Sequence, residues 1–461
     1  MKSYNLKDSM NIKFIKLDQL IYDIGEFGFL GDINTTELPK EFNIFNKIIN
    51  NLNSQDGNFR ELVHKLPKES PDYYLDMIKD KNYSEIKKIY NVFTFICQKY
   101  IWCDGLDDRA QNLPYSIGLI WYFCGKDRVV RPVSTYDALI LNNWKLINEN
   151  EAMSMKNLDV LNSITGLEDE KHFYKIHILI ENAGRKFIND ILRYEEIFKS
   201  EELILQFFDE TYNMLQDCIS ILTKMLSGCD PDVFWNIIRI YLSGFEKEKL
   251  FPNGLHIEGT HIYLKHKGGS GASSPLIQAI DLFFGVEHNT PHGSELIDDM
   301  RKYMSFKHRD FLRNIEKQEF TLEKYASACN DEKIIASYNR CLEKLQKFRK
   351  VHVTIVHKYI VTKLDKIDEE IKDTGTSKTG KNNVFDKGGS SSLASKSKQN
   401  NGLIILLTEL ITDVKDKIMN KNNDDNEIIL WEEILQNELN ITFVFTMIIL
   451  CIAWLLTFTI K

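Results

Sequence analysis

The sequence lacks any paired-cysteine motif. None of its eight cysteines forms a CxxC pair, and the intervals between them are irregular. This pattern argues against a disulfide framework and against a zinc site, and it is typical of free thiols in a reducing compartment. The cysteines stand at positions 97, 103, 124, 218, 229, 329, 341 and 451.

A basic arm interleaved with aromatic residues is also missing. The 461 residues carry a net charge of −8 and have a pI near 5.9. Nucleic acid is therefore not expected as a partner, because binding to phosphates requires a basic surface. A signal peptide is not recognised in residues 1–19, where charges occur throughout. The hydrophobic share of 43% suits a globular protein of two or three domains.

Strand-like alternation of apolar and polar residues is scarce, whereas apolar residues recur at helical spacings. The sequence therefore predicts an all-α fold. We place a small helical domain in residues 1–145 and a larger helical domain in residues 146–420. Lys, Ser, Gly, Asn and Thr dominate residues 363–401, which predicts a mobile loop there, and residues 421–440 are expected to form a linker helix.

One long uncharged run stands near the C-terminal end of the sequence. Residues 441–460 contain no charge, and their only hydroxyl groups belong to four threonines. A helix of this length spans roughly 30 Å, the thickness of a bilayer core. A buried core helix is the alternative, although such a helix normally has a polar face. The run predicts a single-pass tail anchor with the rest of the chain in the cytosol, and the endoplasmic reticulum is favoured over the mitochondrial outer membrane.

A late helical pattern places two polar side chains on an apolar face. A buried arginine needs an anion, and a buried histidine needs a partner or a metal. Haem supplies both, with an iron for the imidazole and propionates for the guanidinium, whereas the alternative is a core histidine bonded to a carbonyl group. The face consists of Leu342, Leu345, Arg349, His352, Val356 and Tyr359.

Two further polar residues are embedded in apolar segments. His177 lies among apolar residues one helical turn after Phe173, so either it is a satisfied core residue or the two side chains line a cavity. Arg239 is the sole charge in residues 234–245, and Trp235 stands one turn before it. A guanidinium in such a segment needs an anion from the protein or a ligand, unless it reaches solvent at the helix edge.

A loop rich in glycine and serine spans residues 267–275. It does not match GxxxxGK[ST], because no lysine follows its glycines. We expect Ser274 to be the N-cap and Pro275 the first residue of a helix. Glycines in the loop allow the backbone to approach a flat ligand closely. Within the helix, Asp281 stands among apolar residues and is a candidate partner for one of the buried arginines.

Several separated motifs follow one another along the chain. They are YDALILNNW (136–144), NLDVL (157–161), RIYLSG (239–244), GGSGASS (268–274), MRKYMSFKHRDFL (300–312) and Arg349-x-x-His352. Together, and in this order, they resemble the indoleamine 2,3-dioxygenases, and the similarity runs from about Tyr22 to about residue 420. The resemblance implies an all-helical fold in which a small N-terminal domain lies over a large haem-binding domain.

The resemblance implies a cofactor, haem b, and a set of residues that hold it. His352 is expected to be the proximal ligand of the iron. Arg349 is expected to contact a haem propionate, with Asp281 nearby. Ser270 and Gly271 match a loop beside the haem edge.

The resemblance also implies a substrate pocket. Arg239 is expected to hold the carboxylate of the substrate. His177 stands where mammalian members of the family have a serine, and we expect it to hydrogen-bond the indole N–H, or an adjacent water, without acting as an obligatory base. The walls of the pocket are expected to be Phe173, Phe234, Tyr136, Leu139 and Ile140.

The implied reaction inserts both atoms of O2 across the indole C2–C3 bond of L-tryptophan or a related indoleamine. The product is N-formylkynurenine, and the reaction is the first step of the kynurenine pathway. The part of the chain outside the anchor is expected to be monomeric. Two alternatives belong to other classes: a catalytically weak or inactive, membrane-tethered sensor of haem or tryptophan, and a structural membrane adaptor without haem.

Overall fold

Helices dominate the parts of the chain that the structure describes, and strands there are two or three residues long. The structure is a computed structural model that describes residues 21–31, 37–54, 57–128, 130–288, 291–318, 321–329 and 331–363. All of these residues belong to the first of two compact units, which are residues 1–417 and residues 418–461. The predicted helical class is confirmed for the described residues.

The α-helices of the described residues differ widely in length, from 3 to 25 residues. They are α1 (Asn46–Ile49), α2 (Phe59–His64), α3 (Pro71–Asp76), α4 (Tyr83–Trp102), α5 (Tyr115–Arg128), α6 (Glu168–Ala183), α7 (Arg185–Ile191), α8 (Tyr194–Ile197), α9 (Glu201–Thr223), α10 (Met225–Gly228), α11 (Pro231–Val233), α12 (Pro275–Phe284), α13 (Pro291–Arg301), α14 (Phe306–Glu316), α15 (Leu322–Cys329) and α16 (Glu332–Val356).

Side-chain caps fix the starts of two important helices. At α4, the Asn82 side chain accepts from the Glu85 amide at 3.0 Å, and the Glu85 carboxylate accepts from the Asn82 amide at 3.0 Å, which is a reciprocal capping box. At α12, Ser274 accepts from the Ile277 amide, and Pro275 is the first helical residue. The predicted N-cap of α12 is therefore confirmed.

Within the described residues, three π-helical turns interrupt the regular helices, at Asp137–Leu141, Phe234–Ile238 and His357–Val361. The first turn contains Leu139 and Ile140, the second contains Phe234, and the third directly follows the helix that carries His352. π-turns are rare, and they are frequent at functional sites. Short 3-10 helices occur at Lys40–Phe45, Arg239–Leu242 and Gly271–Ser273.

In the described part of the chain, the strands form two small sheets. In the first sheet, β1 (Asn112–Leu113) runs parallel to β4 (Leu255–Ile257), and β4 pairs antiparallel with β5 (Tyr263–Leu264). In the second sheet, β2 (Lys145–Leu146) pairs antiparallel with β3 (Leu158–Asp159). The strands also contribute to the core, because Leu113, Leu255 and Ile257 are fully buried.

Two helix pairs form the centre of the packing. The long helices α9 and α16 pack along each other, and α4 packs against α5. Nearly every residue of α4 after Ile86 is buried, as expected for a helix that is covered on all sides. α4 also contacts the π-turn Asp137–Leu141 and the 3-10 helix Arg239–Leu242. It thus supports two segments that carry candidate site residues.

The segment of residues 21–31 packs against the same region. The Tyr22 ring lies 5.5 Å from the Phe311 ring of α14, measured between centroids. The Gly31 amide donates to the Leu141 carbonyl at 2.8 Å. The end of the π-turn that contains Leu141 is therefore held by this segment.

Two domain-level predictions are not decided by the structure. The boundary between residues 145 and 146 stays a prediction. The predicted mobile loop at residues 363–401 lies outside the described residues, apart from residue 363, and so does the predicted linker helix at residues 421–440.

The prediction of a tail-anchored membrane location requires correction. Among the helices of the described residues, none is long and apolar enough to cross a bilayer. Residues 441–460, on which the prediction depended, lie outside the described residues. The anchor and the location at the endoplasmic reticulum are therefore unsupported. An apolar run shows that a segment avoids water, but this property suits burial in protein as well as in lipid.

Candidate active site

Two imidazole groups on different helices are near enough for the charge of one to affect the pKa of the other. His177 stands on α6 and His352 stands on α16. Burial, together with the charges of His177 and Arg349, lowers the pKa of His352 to about 4. Both histidines keep part of their surface accessible even though burial dominates their titration, a combination typical of side chains that line an internal pocket. Both rings are therefore neutral near pH 7.

The hydrogen bond of His177 fixes its tautomer. The Nδ1 atom lies 2.8 Å from the carbonyl oxygen of Phe173. A carbonyl oxygen can only accept, so Nδ1 carries the proton and Nε2 is an acceptor in the neutral ring. Burial lowers the pKa of His177, which favours this neutral form. His177 can therefore be a hydrogen-bonded core residue and also line a cavity. Its Nδ1 atom donates to the Phe173 carbonyl, and its Nε2 atom is available as an acceptor.

His352 has a different environment. None of the described residues hydrogen-bonds its imidazole. The alternative of a core histidine bonded to a carbonyl therefore finds no partner in the described part of the chain. A neutral imidazole with an available ring nitrogen is the ligand that haem iron takes on its proximal side in many proteins.

A buried ion pair stands one turn before His352. The Arg349 Nη2 atom lies 2.5 Å from Asp281 Oδ1, and both side chains are buried. The prediction that Asp281 pairs with a buried arginine is confirmed. Asp281 Oδ2 lies 3.2 Å from His288 Nε2, a contact that the sequence analysis missed. Helical spacing could not have indicated it, because α12 ends at Phe284 and Gly285 follows in the left-handed conformation, so His288 returns to Asp281 from outside the helix.

Aromatic side chains form a continuous wall next to His177. The Phe173 ring lies 4.7 Å from the His177 ring and 5.1 Å from the Phe234 ring. The Tyr136 ring lies 6.1 Å from His177, edge to face. The Tyr359 ring lies 5.7 Å from Phe234 and joins this wall to the end of the His352 helix. The structure thus brings together predicted pocket residues from three separate stretches of the chain.

The loop of residues 268–274 packs against the π-turn after Tyr136. A Cβ atom at Gly269 would lie 3.5 Å from the Leu139 side chain. Ser270 accepts from the Ala272 amide at 3.2 Å and begins the short helix that contains Gly271. Ile140 is buried beside Leu139 in the π-turn. These contacts connect the loop to the expected pocket wall, and the role of Ser270 and Gly271 at a haem edge stays a prediction.

Arg239 is buried, as its apolar neighbours predicted. Its exposed fraction is 9%, which contradicts the alternative of a side chain that reaches solvent at a helix edge. The guanidinium carbon lies 4.3 Å from the centroid of the Trp235 ring, so a cation–π contact holds one of its faces. The described contacts of Arg239 do not include His177 or Phe173. Its role toward a substrate carboxylate therefore stays a prediction.

One buried residue of this region was not singled out in the sequence analysis. Glu181 lies on α6, one turn after His177. The Tyr136 hydroxyl donates to its Oε1 atom at 3.0 Å, and the Ser274 hydroxyl donates to the same atom at 2.6 Å. The spacing of four residues from His177 could have indicated that Glu181 shares the face of the helix that borders the pocket.

Comparison with known proteins assigns the chain to a family. Residues 19–403 match the family model of indoleamine 2,3-dioxygenase. The chain is 28% identical to human indoleamine 2,3-dioxygenase 2 over 342 residues, which cover 73% of this chain and 82% of the human protein. It is 28% identical to mouse indoleamine 2,3-dioxygenase 1 over 347 residues, with coverages of 73% and 83%.

A fungal relative shows the same level of similarity. The indoleamine 2,3-dioxygenase of Saccharomyces cerevisiae is 28% identical over 296 residues, which cover 60% of this chain and 65% of the yeast protein. The family match includes the segments that carry His177, Arg239, Asp281 and His352. The alternatives of an inactive sensor and of a structural adaptor are not favoured by these comparisons. The chain belongs to the indoleamine 2,3-dioxygenase family and is an enzyme of that family.

Proposed function

We propose that the pocket bordered by α6 and α16 binds L-tryptophan, or a related indoleamine, beside a haem. There the enzyme inserts both atoms of O2 across the indole C2–C3 bond to give N-formylkynurenine. The observation that carries this proposal is the proximity of two neutral imidazoles, His177 and His352, on different helices. One ring has its Nδ1 proton engaged by a backbone carbonyl, and the other has no described hydrogen-bond partner.

The residues on the His352 side fit a haem. The imidazole of His352 would bind the iron, and Arg349 would contact a propionate. A guanidinium has five N–H donors, so the pairing of Arg349 with one oxygen of Asp281 is compatible with a second anion. When bound, haem supplies the iron chemistry that activates O2 for reaction with an organic substrate. Asp281 keeps the charge of Arg349 compensated.

The residues on the His177 side fit the substrate. Arg239 would bind the carboxylate of tryptophan, because a buried guanidinium and a carboxylate form a strong bidentate pair. Stacking on Trp235 holds the guanidinium plane. The rings of Phe173, Phe234 and Tyr136 would pack against the indole, with Leu139 and Ile140 completing an apolar surface. Such packing holds the substrate in a reactive orientation.

His177 would orient the indole through a hydrogen bond. The Phe173 carbonyl engages the Nδ1 proton, which leaves Nε2 as an acceptor for the indole N–H. A buried imidazole whose pKa is lowered is a weak base. We therefore assign His177 a positioning role toward the indole, in which it accepts a hydrogen bond without removing the proton.

The direct test is the reaction of the purified, haem-loaded protein with tryptophan, a reductant and 18O2. N-formylkynurenine containing two labelled oxygen atoms is expected. The His352→Ala variant should lose the Soret band and the activity together, while its far-ultraviolet circular dichroism should remain. A haem-loaded protein that binds tryptophan without product would instead identify a sensor. A protein that binds no haem would contradict the whole proposal.

A further inference from the structure

A single carboxyl oxygen connects three elements around the pocket. Glu181 on α6 is 2% exposed. Its Oε1 atom accepts from the Tyr136 hydroxyl at 3.0 Å, and Tyr136 directly precedes the π-turn Asp137–Leu141. The same atom accepts from the Ser274 hydroxyl at 2.6 Å, and Ser274 is the N-cap of α12. A change in the charge of Glu181 therefore affects Tyr136, in the expected pocket wall, and Ser274, in the loop of residues 268–274, at the same time.

The second carboxyl oxygen of Glu181 lacks hydrogen-bond donors among the described residues. Glu181 Oε2 is buried, and none of the described residues hydrogen-bonds to it. A buried anionic oxygen without a donor is costly. Burial accordingly raises the pKa of Glu181 to about 7, although the hydroxyls of Ser274 and Tyr136 lower it. Both protonation states of the carboxyl group are therefore populated near pH 7.

The groups that surround Glu181 do not supply a compensating charge. Tyr136 faces it from the π-turn side, and burial raises the pKa of its hydroxyl. Cys218 faces it from α9, and burial raises the pKa of its thiol. His177 lies one turn before it on α6, and burial lowers the pKa of that ring. Each of these groups is uncharged near pH 7, so the charge of Glu181 depends on its own proton.

A second buried glutamate on α6 provides a contrast. Glu170 is 1% exposed, but both of its oxygens are satisfied. Its Oε1 atom accepts from the Ile164 amide at 2.9 Å and from the Tyr174 hydroxyl at 3.0 Å. Its Oε2 atom accepts from the Thr165 amide at 2.7 Å and from the Thr165 hydroxyl at 2.6 Å. The contacts of Glu170 lie among neighbouring residues and do not extend to Tyr136 or Ser274.

We propose that Glu181 is a positioning residue whose ionised carboxylate holds Tyr136 and Ser274 in place for substrate binding, and whose protonation loosens both. The inference rests on the proposed function, because Tyr136 is a wall of the pocket only if the indole binds there. The physical reason is that hydrogen bonds to a carboxylate are about twice as strong as those to a neutral acid. Protonation removes this charge assistance from both bonds at once.

The test compares pH profiles of kcat and KM for tryptophan in three haem-loaded proteins. Wild-type kcat/KM should fall as the pH decreases from about 8 to about 5.5, approaching tenfold per pH unit at the acid end. We call this decrease the acid limb of the pH profile. The change should lie mainly in KM. Glu181→Gln should lack this acid limb because its side chain cannot titrate. Glu170→Gln, the matched control, should keep the limb even if it lowers stability.

A second variant keeps the proposal testable if Glu181→Gln does not fold. Ser274→Ala removes the shorter of the two donors to Oε1 and should move the acid limb to higher pH, because the ionised carboxylate loses a hydrogen bond. An acid limb that is unchanged in both variants would overturn the proposal. A limb lost equally in Glu170→Gln would overturn it as well.

Calorimetric binding of tryptophan across the same pH range separates this inference from the proposed function. If the wild type binds tryptophan but forms no product, the catalytic proposal fails, and the pH dependence of the affinity still reports on Glu181. A wild-type affinity that does not change with pH would contradict the role of Glu181, whatever the activity.

Discussion

Arg349 and Asp281 form a buried ion pair with an Nη2–Oδ1 distance of 2.5 Å, although 68 residues separate them in the sequence. The pair joins α16, which carries His352, to α12, which begins at the glycine-rich loop. Arg349 belongs to the same face of α16 as His352 and precedes it by one turn. The side chain one turn before His352 is therefore held by a contact between two helices.

We predict that Asp281→Asn destabilises the haem-free protein. The substitution leaves the Arg349 charge buried without its carboxylate, which costs about 3–5 kcal/mol. Urea unfolding followed by circular dichroism measures this loss. Asp299→Asn is the control, because Asp299 forms a pair with Lys267 that is partly exposed, and such pairs contribute about 1 kcal/mol or less. Equal losses in the two variants would contradict the importance of burial.

We predict that Arg239→Lys weakens tryptophan binding by about 100-fold, since breaking a buried hydrogen-bonded charge pair costs about 2–5 kcal/mol. The Soret band should be unchanged. Tryptophan titration measures both properties. Arg109→Lys is the matched control, because Arg109 donates to the Leu250 carbonyl and stacks on Phe251. A lost Soret band in Arg239→Lys would show that Arg239 is structural.

We predict that His177→Ser keeps activity and changes the affinity for tryptophan. A serine hydroxyl provides a weaker and more distant acceptor for the indole N–H, so KM should change more than kcat. Steady-state kinetics with tryptophan and with its 1-methyl derivative, which has no indole N–H, provides the measurement. Complete loss of activity in His177→Ser would favour a role as catalytic base.

We predict a pH-dependent stability term from Asp137. Burial raises the pKa of this carboxyl group from its ordinary 3.8 to about 6, so the native state binds more protons than the unfolded state between these values. The free energy of unfolding contributed by Asp137 therefore falls as the pH rises through this window, by about 3 kcal/mol in total.

The measurement is urea unfolding of wild type and Asp137→Asn at several pH values. As the pH rises from about 4 to about 6, the free energy of unfolding of the wild type should decrease relative to that of Asp137→Asn. Asp76→Asn changes an exposed carboxyl group and serves as the control. A difference that does not depend on pH would show that Asp137 keeps an ordinary pKa in the folded protein.

Local composition was sufficient to predict several contacts of the site. Asp281 could be predicted as an arginine partner because an isolated carboxylate in an apolar helix needs a cation. Ser274 and Pro275 could be predicted as a helix start because both positions have a stereochemical reason. Burial of Arg239 followed from its apolar neighbours. Each of these predictions concerns one residue and its immediate surroundings.

Other features could not be predicted because they depend on partners that are distant in the sequence. Glu181 looked like an ordinary helix residue, since its two donors come from Tyr136 and Ser274. The π-turns have no spacing signal of their own, because sequence periodicity is read with 3.6 residues per turn. The membrane prediction was wrong because apolar composition does not distinguish between lipid and protein surroundings.

The π-turns have a consequence for how these helices tolerate changes of length. A π-turn contains one residue more than the regular helix would need, so a single deletion within Asp137–Leu141, Phe234–Ile238 or His357–Val361 can restore an ordinary α-turn. The same deletion in a regular stretch would rotate every later side chain by about 100°. Natural variation in length within these helices should therefore accumulate at the three π-turns.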